Sequence, residues 1–283
     1  MIRRLTIVGV GLLGGSVAKA ARARGVASEI VGVGRDAGRL EAASRDGAFD
    51  TVTTELASGV RDADVVVLAA PVLAILRLLE AVAKAASPET IVTDVGSTKG
   101  AIVAAAARIA RDQPLRFVGS HPMAGSEQSG YAHARVDLFH DATVVVTPGE
   151  RSEPAAVKTI VALWEALGAG RVVTLDPDAH DRAVAAISHL PHLAAFALVD
   201  AVERFEPGAF EVAARGFRDT TRIAAADPVM WEEIFLDNRE ALAASLEVYR
   251  KSLDDLADLI ARGDGEALRA AIARIKARRE GLR

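Results

Sequence analysis

The stretch LTIVGVGLLGGSVAKAARARG, Leu5 to Gly25, decides how the rest of the chain is read. A β-branched run stops at Gly9, an alanine-rich helical segment follows Gly14, and Gly9, Gly11 and Gly14 form a G-x-G-x-x-G array between them. In that setting Gly9 permits a tight turn, Gly11 lets a pyrophosphate approach the backbone, and Gly14 lets helix and strand pack closely. The helix N-terminus offers unpaired N–H groups to the phosphates. The turn, Leu12 and Leu13 included, reads as a dinucleotide site.

Working outward, short valine-rich runs alternate with helical stretches as far as Val173: EIVGVG, DVVVLAA, TIVTDVG, RFVGS, ATVVVTP and RVVTLD. The alternation predicts βαβ units, hence a Rossmann-type, doubly wound and mainly parallel sheet with helices on both faces. Beyond Asp176 the valine runs vanish and helices are expected over 178–189, 193–204, 230–262 and 266–279. The predicted division is a dinucleotide-binding domain, 1–174, and an all-helical substrate and dimerisation domain, 175–283. Leu242, Leu246, Tyr249, Leu253, Leu256 and Ile260 form a heptad seam. It suits either a core helix within one chain or packing against a twin across a two-fold axis. Arg274, Lys276, Arg278 and Arg279 complement the dipole of the last helix.

With a formal net charge of -4, the 283-residue chain has no overall basic surface, which argues against nucleic acid or an anionic membrane as partner. It has no cysteine, so disulfides and thiolate chemistry are excluded. The arginines and apolar run at the N-terminus also look like a secretory signal, but Gly9, Gly11, Gly14 and Gly15 weaken a helical signal core. The apolar run Val65–Leu76 falls short of the ~20 residues that span a bilayer. A cytoplasmic enzyme acting on a small molecule is expected.

At the end of the second strand, where NAD-binding proteins usually carry an acid for the ribose, stands Gly34, followed by Arg35. A guanidinium there suits a 2′-phosphate, which favours NADP; Asp36 lies close enough to keep NAD open. His121 follows the run LRFVGS and is either a base for a hydroxyl proton or a turn residue. His133 and His140 look like solvated loop residues. His189 and His192 suggest a metal pair, but no third ligand stands near them, so no metal is expected. Pro191 is expected to kink or start a helix and so turn His192 towards a cleft between the domains. One of Arg215, Arg218 and Arg222 suits a carboxylate clamp, with the others in surface ion pairs.

Taken in order, GVGLLGGS, VLAAPV, DVGSTKG, GSHPMAGSEQSG, ISHLPHLAAFALVD and FRDTTRIAAADPVMW resemble the prephenate and arogenate dehydrogenase family of tyrosine biosynthesis along nearly the whole chain. The resemblance implies oxidative decarboxylation of prephenate or arogenate with hydride transfer to NAD or NADP. It makes His121 the proton acceptor and Ser97 its assistant at the same hydroxyl. It assigns Arg222 to a substrate carboxylate, His192 and Trp231 to the substrate side, Glu127 to the entrance, and His189 to a place beside the site. Ala70 and Pro71 would border the cofactor. The missing acid at Gly34 departs from NAD-preferring members. A different two-domain dehydrogenase or imine reductase, and a non-catalytic cofactor sensor, are the alternatives.

Overall fold

The computed structural model describes residues 2–125 and 128–282. In chain order the first elements are β1 (Ile2–Val8), α1 (Leu12–Arg24), β2 (Ala27–Val33), α2 (Ala37–Arg45), β3 (Thr51–Thr53), α3 (Leu56–Val60), β4 (Val65–Leu68), α4 (Val72–Ala85), β5 (Ile91–Asp94), α5 (Gly100–Ile109) and β6 (Arg116–Phe117). Their strands form one parallel sheet in the order β3-β2-β1-β4-β5-β6, the doubly wound arrangement expected. Successive side chains point to opposite faces, so Val65 and Val67 pack in one apolar layer and Val66 and Leu68 in the other. Burial on both faces explains why β4 is an uninterrupted apolar run.

A second sheet follows, made of β7 (Gly119–Pro122), β8 (Thr143–Thr147) and β9 (Arg171–Thr174), with α6 (Pro154–Ala166) between the last two. β8 pairs antiparallel with β7 and parallel with β9. The run RFVGS is therefore not one strand. Val118 still donates its N–H to the Val92 carbonyl at 2.9 Å, and at Gly119 the chain leaves the first sheet for the second. A Cβ on Gly119 would lie 2.4 Å from Thr147 Oγ1, so glycine is required for β7 to approach β8. His121 consequently sits within β7, opposite Val145, and not in a turn.

From Pro177 onward the elements are helical: α7 (Pro177–Val184), α8 (Leu190–Phe205), α9 (Arg215–Thr221), α10 (Pro228–Asp237), α11 (Arg239–Ala261) and α12 (Gly265–Glu280). Asp176 and Asp227 cap α7 and α10 by accepting backbone N–H groups, each ahead of a proline in the first turn. Two expectations are corrected here. Pro191 stands in the first turn of α8, as expected, but no gap precedes it: a π-helical turn, Ala185–His189, joins α7 to α8, and its wider winding lies just where proline removes a donor. The helix expected over 230–262 is instead divided at Asn238, whose amide is drawn into tertiary hydrogen bonds.

The joined helix Pro177–Phe205 is, among the described residues, the one long and apolar enough by length and composition to cross a membrane. His180 and His189 on it are fully buried and its α7 part packs on α5 and β8, while 22% of its apolar window is buried within the chain. The heptad seam is buried at Leu242 but opens outward along α11, where Leu253 is 48% and Ile260 65% exposed.

Candidate active site

A cavity of about 780 Å³ opens at the carboxyl ends of β1 and β4, the neighbours at which the strand order reverses. One wall is the glycine turn, including Gly11, Leu12 and Leu13, together with Ala69–Val72. Gly9 has φ +106°, and a Cβ there would lie 2.1 Å from the Ala69 carbonyl oxygen; on Gly14 it would lie 2.0 Å from the Gly9 oxygen. Packing alone demands these two glycines. Gly11 differs, because a Cβ there would meet nothing within 4 Å and would project into open space before the first turn of α1. No side chain caps that helix, so its N–H groups and the bare Gly11 fit a pyrophosphate. Arg35 is exposed and lies outside the cavity wall, while Asp36 caps α2 by accepting the Arg39 N–H at 3.0 Å.

Ser97, His121, His189, His192, Arg222 and Trp231 line the same cavity, as do Ala70 and Pro71. Glu127 lies outside the described residues. His192 stacks on Trp231 with centroids 3.6 Å apart and donates from Nδ1 to the Ser188 carbonyl at 3.0 Å. Burial lowers the His192 pKa, an effect opposed by the Ser188 bond and reinforced by the Arg222 guanidinium. The buried indole N–H of Trp231 finds no acceptor among the described residues, a donor that a polar ligand group would satisfy. Arg215 pairs with Asp219 on the surface, and His140 is exposed beside Asp141.

Behind His121 lies a polar network that the sequence did not disclose. His121 Nδ1 is 2.9 Å from His180 Nε2, and His180 Nδ1 is 2.8 Å from Asp181 Oδ1. Asp181 also accepts the backbone N–H groups of Lys99 and Gly100, each at 2.8 Å. Burial raises the Asp181 pKa, but the bonds from His180, Gly100 and Lys99 outweigh it and the carboxylate stays below its usual range. Lys99, itself fully buried, pairs with Asp94 and donates to the Ser120 carbonyl at 3.0 Å. The only trace in the sequence is the adjacent pair His180–Asp181 in the helical stretch after Asp176.

Burial pushes the His121 pKa well below its ordinary value, and His180, Lys99 and His189 add to the effect, so the ring is unprotonated at neutral pH and keeps a lone pair. His189 accepts a 3.2 Å hydrogen bond from Asn238 and is lowered by burial to about 4. An unfolded chain binds a proton at His189 below about pH 6.5, whereas the folded chain does so only near 4. Stability should therefore fall as pH drops through that window, by on the order of 3 kcal/mol from this group. In urea unfolding measured from pH 7.5 to 4, His189→Gln should flatten the slope; an unchanged slope would show that His189 does not drive it.

The family model for "Prephenate dehydrogenase, nucleotide-binding domain" matches residues 17–174, and the one for "Prephenate dehydrogenase, dimerization domain" matches 176–274. A prephenate dehydrogenase of Bacillus subtilis (strain 168) is 34% identical over 98% of this chain and 76% of its own length. A prephenate dehydrogenase from A. aeolicus, solved with hydroxyphenyl propionate and NAD+, superposes with a TM-score of 0.93 at 34% identity, covering 100% of this chain and 99% of that one. The arogenate dehydrogenase of Synechocystis gives 0.85 at 33% identity, covering 98% and 99%. With both halves of the chain matched and the fold shared end to end, this protein belongs to the prephenate dehydrogenase family of NAD(P)-dependent dehydrogenases.

Proposed function

We propose that the chain oxidatively decarboxylates prephenate, arogenate or both, in the formation of tyrosine. The observation that carries this reading is the convergence of a neutral, half-buried imidazole, His121, with Arg222, His192 and Trp231 in one cavity beside the glycine turn. When bound, the nicotinamide supplies the hydride acceptor. His121 accepts the proton of the ring hydroxyl at Nε2, with Ser97 holding the same hydroxyl. Loss of the ring carboxylate as carbon dioxide leaves an aromatic product. Arg222 clamps the remaining carboxylate, and the His192–Trp231 stack provides an apolar wall for the ring. Glu127 is assigned to the entrance and His189 to the support of that wall.

Two features favour NADP. Gly34 has no side chain to meet a 2′-hydroxyl, and Arg35 stands exposed after β2 beside Asp36, whose Oδ1 is engaged in capping α2. The division into a nucleotide domain, 1–174, and a helical substrate domain, 175–283, belongs to the same reading. So does a homodimer. The seam on α11 is too open to be filled within one chain, and the matched dimerization-domain model spans it.

Initial rates with both acids and both nucleotides test the reaction; no turnover with either acid would refute it. His121→Asn should lower kcat by ~10²- to 10⁴-fold with little change in KM, because a general base acts in the transition state. A loss below tenfold would remove His121 from that role. Arg35→Ala should weaken NADP and spare NAD, and equal weakening of both would assign Arg35 to structure. The unmodified protein should sediment as a dimer at micromolar concentration, and a combined Leu246→Lys, Leu253→Lys variant as a monomer. A monomeric unmodified protein would place the seam inside one chain.

A further inference from the structure

His121 is useful as a base only if Nε2 carries a lone pair, and a neutral imidazole has two tautomers from which to choose. The hydrogen-bond chain behind it settles the choice from the far end. Asp181 accepts two backbone N–H groups at the start of α5 and is held as a carboxylate, so it can only accept from His180 Nδ1. His180 is then protonated at Nδ1 and presents Nε2 as an acceptor. At 2.9 Å that nitrogen takes the N–H of His121 Nδ1, and the lone pair of His121 falls on Nε2. His180 is fully buried and His121 lines the cavity, so the chain runs from the interior to the site.

We propose that His180 and Asp181 are positioning residues that hold His121 as its Nδ1–H tautomer and keep Nε2 as the proton acceptor. The inference rests on the reading of His121 as the base. When His121 takes the hydroxyl proton, its Nδ1–H stays shared with His180 Nε2, His180 keeps its own Nδ1 proton against Asp181, and no further proton has to leave. The two rings meet edge to face, with centroids 5.1 Å apart and planes at 68°, which also fixes the direction in which His121 points.

Two measurements test this separately from the reaction itself. In the protein labelled with ¹⁵N-histidine, ring nitrogen shifts at pH 7.5 should show His121 protonated at Nδ1. The histidine side chain in water favours the Nε2–H form, so burial alone does not produce this result, and an Nε2–H form would overturn the proposal. In steady-state kinetics, His180→Phe, which leaves Nδ1 without an acceptor, should lower kcat on the order of 10²-fold with KM for both substrates within about threefold. His180→Gln, whose carbonyl oxygen can accept from Nδ1, should recover at least tenfold of that loss. A His180→Phe enzyme within threefold of the unmodified kcat, or a Gln variant no better than Phe, would overturn it. If the unmodified protein turns over neither acid, the reaction assignment fails, while the nitrogen shifts still decide the tautomer. Should His180→Phe not fold, the shifts and the Gln variant carry the decision.

Discussion

The carboxylate of Asp181 is the constraint on which the site depends. Its two oxygens take the first N–H groups of α5 from one domain and the imidazole of its own neighbour from the other, while its backbone carbonyl accepts from Asn238 at 2.7 Å. The orphan donors of a helix start would otherwise need water or a local cap, so one acid satisfies them and joins the two halves. The approach is close: a Cβ on Gly100 would stand 3.0 Å from Asp181 Oδ2. The same Asn238 amide reaches His189, so the break between α10 and α11 and the placement of the cavity wall follow from one residue.

Beneath that junction lies a fully buried ion pair, Lys99 with Asp94, at the carboxyl end of β5. Burial pulls the Lys99 pKa down, while Asp94, Asp181 and Asp237 oppose it. Such a pair need not stabilise the fold relative to apolar residues, yet removing one partner leaves an uncompensated charge and costs about 3–5 kcal/mol. Its neighbours are correspondingly well satisfied. Ser120, next to His121, bonds through its hydroxyl to Thr93, to the Asp94 carbonyl and to the Trp164 indole. The backbone bearing His121 is thus fixed from below as well as from the side.

Legibility followed the range of the physical cause. The glycine turn was readable because its requirements are local: two positions with no room for a Cβ and one facing open space, all within six residues. The parallel sheet was readable because burial on both faces leaves continuous valine runs. The second sheet was not separated from the first, since RFVGS looks like one strand until Gly119 is seen against Thr147. Asn238 gave no sign of a helix break, because its cause is a partner 57 residues away. His180 and Asp181 were read only as part of the helix expected over 178–189, for the residues they touch lie 59 and about 80 positions earlier.

The two domains contribute different kinds of chemistry to one cavity. The nucleotide wall is made largely of backbone, where glycine, a bare helix N-terminus and strand ends recognise phosphates common to every dinucleotide. The opposite wall is made of side chains on short helical pieces: the π turn before α8, the turn beginning at Arg222, and the first turns of α10. Wide or interrupted helices set adjacent side chains at angles that a regular helix does not offer. Changing that wall leaves the strand order and the glycine turn intact. His121 stands between the two, on a strand of the nucleotide half but hydrogen-bonded to a helix of the other, so its surroundings depend on both halves being docked.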